Sequence, residues 1–125
     1  MAAISTPALV INNVTFPYKP NSVSFTEGKA EYKIRTAAAG GTKTERVFSE
    51  NIETAYGKVK GVFYTTSENI EEARRLKDNK DTNVVQLVDG SFSRTFNKAT
   101  VINDPEIPTG FEGEFELEFH TDPAI

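Results

Sequence analysis

Residues 111–120 read Phe-Glu-Gly-Glu-Phe-Glu-Leu-Glu-Phe-His, so acidic and apolar side chains alternate along almost the whole stretch. A period of two is the pattern of a β-strand with one face in a core and the other in solvent. It predicts a strand from Phe111 to His120 whose core-facing side chains are Phe111, Phe115, Leu117 and Phe119. The opposite face then carries an acidic row, spaced about 7 Å apart, of Glu112, Glu114, Glu116 and Glu118.

Turn signals elsewhere in the chain predict partners for this strand. Asp89-Gly90-Ser91 separates two apolar, β-branched runs, and Asn12-Asn13 separates two shorter ones. Asn and Gly tolerate the positive φ angles that tight hairpins require. Further strand-like runs lie around Val23, Tyr32, Val47, Val59 and Val101. The pattern predicts a mainly β fold, an antiparallel β-sandwich or barrel of seven to nine strands.

One segment favours a helix, over about residues 66–78. Thr65 or Thr66 can cap its first turn, with Glu68 three residues after Thr65. The apolar face of this helix consists of Ile70, Ala73 and Leu76, which recur at helical spacing. A single flanking helix is therefore expected beside the sheets.

Length and composition exclude several classes of protein. The chain has 125 residues, which fits one domain over 1–125. It has no cysteine and one histidine, so thiol chemistry, disulfides and Cys/His zinc sites are excluded. No apolar run approaches the ~20 residues of a membrane helix, and the N-terminus lacks the features of a signal peptide. We expect a chain that is made in the cytoplasm, requires no cofactor and does not insert into a membrane.

The charged and polar candidates for a site do not predict an enzyme. The acidic row could supply a carboxylate pair for glycoside hydrolysis or bind a cation, but an open row favours a solvated or partner-facing surface. His120 could join a Ser-His-Asp triad, yet no Gly-x-Ser-x-Gly motif is present. Residues 40–44 lack the order of a phosphate loop, and residues 78–83 lack that of a calcium loop. A weak basic patch comprises Lys58, Lys60, Arg94 and Lys98.

Charge is distributed unevenly along the chain. Residues 1–103 carry 14 Lys and Arg against 11 Asp and Glu, whereas residues 104–125 carry seven acids and no Lys or Arg. Such asymmetry is often a disordered acidic tail. Here the alternation with Phe and Leu indicates an ordered acidic strand instead.

Taken as a whole, the sequence resembles the tail tube proteins of bacteriophages with contractile tails. The resemblance spans nearly the entire chain and depends on the order of several segments. These are residues 14–20, residues 32–35 running into an Ala/Gly-rich loop, and residues 46–50, 66–70, 83–87 and 118–125. The family is similar in fold to the tube proteins of type VI secretion and of contractile bacteriocins.

The resemblance implies a structural protein of the virion. Members form hexameric rings that stack into a hollow tube inside a sheath, through which double-stranded DNA passes without specific binding. It further suggests that the sheet lining the channel is built largely from the strands around Tyr32, Val47, Val85 and Phe92. The acidic row would then face either the sheath or the lumen.

A loop with little apolar content is the candidate contact between stacked rings. It comprises Ala37, Ala38, Ala39, Gly40, Gly41, Thr42 and Lys43. Such a segment buries too little surface to fold against its own core, and it can become ordered against a neighbour. A plain surface loop is the alternative.

For the whole chain, the main alternative is a monomeric β-sandwich that binds a carbohydrate or a protein, and a third is a small hydrolase that uses the glutamates.

Overall fold

The computed structural model describes residue 4 and residues 6–29, 31–38, 40–41, 44–51 and 55–125. Within these ranges the chain forms nine strands and one helix. Their bounds are β1 Ala8–Ile11, β2 Val14–Phe16, β3 Ser24–Thr26, β4 Glu31–Ala38, β5 Thr44–Asn51, β6 Gly57–Tyr64, α1 Ser67–Asp78, β7 Asn83–Asp89, β8 Phe92–Val101 and β9 Glu114–Thr121. The expected mainly β, antiparallel fold with one helix is confirmed.

Seven strands form one antiparallel sheet in the order β2-β1-β7-β8-β9-β6-β3. The ten-residue strand β8 joins its two halves, since its first part pairs with β7 and its last residues, Thr100 and Val101, pair with β9. The sheet folds back on itself, because Phe16 on β2 lies edge-on to Phe63 on β6 with ring centroids 6.3 Å apart. Phe25 on β3 similarly contacts Phe96 on β8.

The core fills the space inside the folded sheet and under the helix. Its largest fully buried members include Phe96, Phe119 and Leu76. The predicted core-facing side of β9 and the predicted apolar face of the helix do pack together. They belong to one cluster with the neighbouring strands, which contains Phe63, Ala73, Leu76, Leu87, Phe96, Phe115, Leu117 and Phe119. Ile70 packs against this cluster and is partly buried.

Local sequence signals explain the turns. Asn12 and Asn13 both have positive φ angles, 53° and 66°, in the two-residue turn between β1 and β2. Gly90, with φ 59°, does the same between β7 and β8. Two left-handed residues in succession, as at Asn12 and Asn13, or one at the first turn position, as at Gly90, match the twist of the flanking strands, which is why Asn and Gly are favoured there.

The helix begins and ends as its sequence predicts. Thr66 is the N-cap, and its hydroxyl accepts a hydrogen bond from the Asn69 backbone N–H. Glu68 lies in the first turn and Lys77 in the last, an arrangement that suits the helix dipole. Of the two possible caps, Thr66 is therefore the one used.

The segment after the helix is a loop, as the sequence predicts, and it leads into a buried asparagine that connects several elements. Asn83 is fully buried at the start of β7, and its side-chain amide donates a 2.7 Å hydrogen bond to the Leu76 carbonyl at the end of the helix. The Asn83 side-chain oxygen, Oδ1, accepts hydrogen bonds from the side-chain amides of Asn12 and Asn79. Asn83 thus connects α1, β7 and the first hairpin.

Two expectations about the strands are wrong. β9 begins at Glu114 and not at Phe111, so Phe111 is not a core residue and is fully exposed. Val85 and Phe92 belong to the seven-stranded sheet, whereas Tyr32 and Val47 lie on β4 and β5, which form a separate two-stranded sheet. One sheet therefore does not contain all four.

Candidate assembly interface

The two-stranded sheet is a hairpin made of β4 and β5, eight residues each. Its register runs without interruption from Glu31 opposite Asn51 to Ala38 opposite Thr44. Eight residues of strand extend about 25 Å. Every side chain described on the hairpin is exposed, so neither of its faces packs against the folded sheet.

The register divides the hairpin into two chemically different faces. Residues directly opposite each other point to the same side. Ile34 lies opposite Phe48, and Tyr32, two positions before Ile34, shares that face, which we call the apolar face. Thr36 and Arg46 are the next pair along the same face. The other face carries Lys33, Arg35 and Val47.

The exposure of the apolar face is unusual for large side chains. Tyr32, Ile34 and Phe48 are 62%, 56% and 60% exposed. A contiguous exposed apolar patch beside unpaired strand edges is a surface that pairs with another chain unless it is protected. The hairpin therefore has the properties of an interaction element.

The predicted stacking loop is the tip of this hairpin. Ala37 and Ala38 are the last residues of β4, so the connection is shorter than expected. Gly40 and Gly41 follow with φ angles of 94° and 60°. The remaining members of the predicted loop, Ala39, Thr42 and Lys43, lie outside the described residues.

Three of the four glutamates of the predicted acidic row lie on one face of β9. Glu114, Glu116 and Glu118 do share the outward face of β9, as the alternation predicts. Glu112 does not, because it lies in the turn that precedes the strand. Residues 111–113 lack regular pairing, so the alternation begins at Glu114, three residues later than predicted.

Two of the three strand glutamates have lysine partners. Glu114 lies 3.0 Å from the Lys19 ammonium, and Glu118 lies 4.0 Å from that of Lys60. These lysines come from neighbouring segments of the sheet, so their approach depends on the tertiary fold.

The turn before β9 presents Phe111 on a hydrogen-bonded loop. The Gly113 N–H donates to the Gly110 carbonyl at 3.1 Å, and the Thr65 N–H donates to the Gly113 carbonyl at 3.0 Å. A Cβ on Gly113 would lie 2.8 Å from the Pro108 backbone carbonyl oxygen and would also clash with the Thr65 hydroxyl, so only glycine allows this close approach. The loop is thus held against the start of the helix while Phe111 extends into solvent.

A cleft of about 640 Å³ lies beside Phe111. Tyr64, at the end of β6, forms its other apolar wall and is 42% exposed. The remaining lining residues are Thr65, Thr66, Gly110, Glu112 and Glu114. We call this feature the Phe111 cleft. Sequence reasoning missed it, although Gly110 and Gly113 on either side of Phe111 were a signal for a turn.

A second depression lies at the base of the hairpin. Its lining includes Glu31 on β4, Tyr56, Lys58 and His120. The rings of Tyr56 and His120 are in contact, tilted by 40° with centroids 4.6 Å apart. His120 is therefore part of an aromatic contact near the hairpin base, and its role there is packing.

Two of the four residues of the predicted basic patch are neutralised by acidic partners. Lys60 pairs with Glu118, and Arg94 forms an ion pair and a hydrogen bond with Glu27. The Arg94 guanidinium, first by its hydrogen bond and then by its charge, holds the pKa of Glu27 below its usual value. A groove that follows a nucleic-acid backbone needs unpaired cations and stacking aromatics, and this patch offers few of the former.

The described part of the chain contains no group of three His, Asp or Glu residues placed to hold a metal ion. Within the same residues, the one helix is too short to cross a bilayer. No protein-family model matches the sequence, and no curated protein shows significant similarity to it. The resemblance to tail tube proteins therefore depends on the sequence features alone.

Proposed function

We propose that this protein is a structural subunit that self-assembles, and that its assembly is the inner tube of a contractile phage tail. In this proposal six copies form a ring, and the rings stack into a hollow conduit within a sheath. The observation that carries it is the β4–β5 hairpin, which exposes three large apolar side chains, Tyr32, Ile34 and Phe48. The order of segments that resembles tail tube proteins supports the particular architecture.

The chemistry of the hairpin favours a protein partner over a small molecule. Ligand sites are concave and converge a few polar groups on a pocket, whereas the hairpin is a narrow ribbon exposed on both sides. A ribbon of this kind gains stability by adding its edges and its apolar face to another subunit. Identical subunits supply such partners in a closed or stacked assembly.

The charge of β9 suits a tube that passes DNA. Glu116 is exposed on the outward face of β9, beside Glu114 and Glu118. Facing the lumen, these carboxylates would repel phosphates and prevent adhesion of the DNA in transit. Facing outward, they would complement a basic surface of the sheath protein and assist its register. Either placement belongs to a virion component, made in the host cytoplasm and without catalytic activity.

The test is the size and shape of the purified protein. We expect light scattering to detect species far larger than the 13.8 kDa chain, and negative-stain microscopy to show rings or hollow tubes. A 13.8 kDa monomer at every concentration up to the millimolar range would overturn the proposal.

A monomeric module that binds carbohydrate or protein is the second candidate. The observation that favours it is the Phe111 cleft, where Tyr64 and Phe111 could stack on a sugar ring while Glu112 accepts its hydroxyl hydrogen bonds. This alternative leaves the exposed hairpin without a function. A monomer that binds oligosaccharides on a glycan array would favour it over the tube.

A further inference from the structure

We propose that the depression at the base of the hairpin, which we call the Tyr56 depression, binds a phosphomonoester that carries an aromatic ring, for example a nucleoside monophosphate. In this site Lys29 and Lys58 bind the phosphate, and Tyr56 and Ile102 contact the ring. These residues all belong to one copy of the chain. The inference therefore goes beyond the proposed self-assembly and does not depend on it.

The pairing of three strands places donors of the site on one face of the large sheet. Thr26 on β3 lies opposite Lys58 on β6, and Lys58 lies opposite His120 on β9. Residues directly opposite each other point to the same side, and neighbouring strands are about 4.8 Å apart. The Thr26 hydroxyl and the Lys58 ammonium are therefore neighbours on the outward face of the sheet.

A close contact between backbones brings the second lysine to the depression. Gly28, which precedes Lys29, is buried and has a φ angle of 89°. A Cβ at this position would lie 2.6 Å from the Gly57 nitrogen, so the turn packs against the start of β6 only because glycine has no side chain. The Ala124 N–H also donates a 2.7 Å hydrogen bond to the Glu27 carbonyl of this turn. The backbone that carries Lys29 is thus fixed before a ligand binds, and a preformed site loses little conformational entropy.

The charges of the Tyr56 depression favour an anion. Lys29 and Lys58 form no ion pair with any residue that the structure describes, and the neighbouring Glu118 is paired with Lys60. Glu31 adds one carboxylate to the lining, against two ammonium groups. A phosphomonoester carries a charge of about −1.5 to −2 at pH 7 and three strong acceptor oxygens. It is therefore well matched to two lysines beside a hydroxyl group.

The walls of the depression suit an aromatic ring. Tyr56 and Ile102 are 49% and 53% exposed, so both have apolar area that a ligand can cover. The contact between the Tyr56 and His120 rings restricts the motion of the tyrosine. The depression has a volume of about 550 Å³, which is in the usual range for small-molecule sites. Since every nucleobase can stack on an aromatic side chain, a nucleoside monophosphate matches both the charged and the apolar part.

A single phosphate distinguishes this site from a surface for DNA. Binding of a nucleic-acid backbone depends on several cations that each neutralise a phosphate. Lys60, two positions after Lys58 on the same face, is paired with Glu118, so the row of free cations ends there. Duplex DNA is therefore not expected to compete for the depression.

The first experiment measures binding to the full chain by titration calorimetry. We expect adenosine monophosphate to bind with a dissociation constant of about 1 mM or tighter. Adenosine lacks the phosphate and ribose 5-phosphate lacks the ring, so each should bind at least roughly tenfold more weakly. Phenyl phosphate identifies the source of the ring: affinity equal to that of the nucleotide means that a ring and a phosphate suffice, and weaker binding means that the nucleoside is recognised.

The second experiment tests the phosphate contacts by substitution. Lys29→Gln and Lys58→Gln should each weaken the binding of adenosine monophosphate by roughly tenfold, since each removes a charged hydrogen-bond donor. Lys80→Gln, in the exposed loop after α1, is the matched control for the loss of one positive charge and should bind as the parent does. The three melting temperatures should match that of the parent because all three lysines are exposed.

The third experiment tests the ring contact. Tyr56→Leu should weaken the binding of adenosine monophosphate by roughly fivefold or more, as loss of a stacking partner does, and should leave the binding of inorganic phosphate unchanged. Tyr64→Leu is the matched control, because Tyr64 is 42% exposed at the opposite end of β6. Its affinity for both probes should equal that of the parent.

The fourth experiment locates the site by labelling. Pyridoxal 5′-phosphate carries a phosphate, a ring and an aldehyde, which condenses with a lysine amine with loss of water. Borohydride then reduces the imine to a stable amine, and mass spectrometry of the digested protein identifies the lysine. We expect Lys29 or Lys58 to react first and adenosine monophosphate to protect it, whereas the labelling of Lys80 should not change with the nucleotide.

The outcomes decide the proposal without reference to the oligomeric state. It is wrong if adenosine monophosphate does not bind at concentrations up to about 10 mM, or if Lys29→Gln and Lys58→Gln both bind it as tightly as the parent. Displacement of the nucleotide by duplex DNA would also overturn it. Weaker binding in the two lysine variants, together with protected labelling of Lys29 or Lys58, supports the site whether the protein is a monomer or a tube.

Discussion

Phe115 illustrates how single residues hold this fold together. It is 3% exposed, and its ring lies 6.0 Å from that of Phe63 on the neighbouring strand. Phe111, four positions earlier, touches solvent on all sides. The two phenylalanines share a chemistry and a sequence context, so their substitution isolates the effect of burial.

We expect Phe115→Ala to lower the free energy of unfolding by about 3–5 kcal/mol, because it removes a large side chain from a packed core. Phe111→Ala is the matched control and should change the stability by less than about 0.5 kcal/mol. Chemical denaturation of both variants measures the difference. Equal stabilities would show that Phe115 is not in the core.

The Glu27–Arg94 pair predicts a pH dependence at the residue scale. Arg94 lowers the pKa of Glu27 in the folded state relative to the ordinary value of 4.5. A carboxylate with a lowered folded-state pKa stabilises the fold above the unfolded-state pKa, and this contribution is lost as the pH falls through the folded-state value. The parent should therefore be more stable than Glu27→Gln at neutral pH.

The difference in melting temperature between the parent and Glu27→Gln should narrow as the pH falls below 4.5. Glu106→Gln, at an exposed loop position, is the control for the loss of one negative charge. A difference that stays constant from pH 7 to pH 3 would mean that the ion pair does not form in solution.

At the scale of the elements, the hairpin differs from the rest of the chain. Helix α1 and the seven strands of the large sheet all contribute residues to or beside the core cluster, whereas none of the side chains described on β4 and β5 does. The hairpin is held by its own cross-strand pairs, and isolated two-stranded hairpins are marginally stable in water. Its order is therefore expected to increase when it binds a partner.

Deletion of residues 38–41 from the hairpin tip should leave the melting temperature of the core nearly unchanged. It should weaken the stacking of one ring on the next, because Ala38, Gly40 and Gly41 form the end of the ribbon. Tube length measured by microscopy checks the second effect. Tubes as long and as abundant as those of the parent would contradict a stacking role for the tip.

At the scale of the whole molecule, the acidic glutamates have different environments. Glu112 lies at the Phe111 cleft, Glu118 is paired with Lys60, and Glu116 is exposed between them on β9. The single acidic strip of the sequence is thus divided between the rim of the Phe111 cleft and the outward surface of β9.

We expect the double variant Glu116→Gln and Glu118→Gln to fold and to assemble at the parental critical concentration, because neither residue lies on the hairpin that carries the proposed self-assembly. It should impair attachment of the sheath or passage of DNA. Glu106→Gln, at an exposed loop position, is the matched control and should leave all of these properties unchanged. Loss of assembly in the double variant would place the outward face of β9 in a subunit interface.

Much of the fold is encoded in local sequence. The alternation of β9 from Glu114, the positive φ angles of Asn12 and Gly90, and the Thr66 cap are each specified by a few neighbouring residues. Period, turn chemistry and capping depend on interactions within a few positions of the chain. For this reason the strands, the tight turns and the helix could be predicted from the sequence alone.

Only the tertiary structure determined which apolar faces are buried and which are exposed. Phe111 continues the alternation of β9, and Ile34 and Phe48 lie on strands as regular as any in the core, yet all three are exposed. A strand pattern indicates which side chains share a face, but burial requires another element to cover that face. The Gly113 turn directs Phe111 away from the sheet, and the two hairpin strands pair with each other, because long-range packing among the described residues places no other element over either surface.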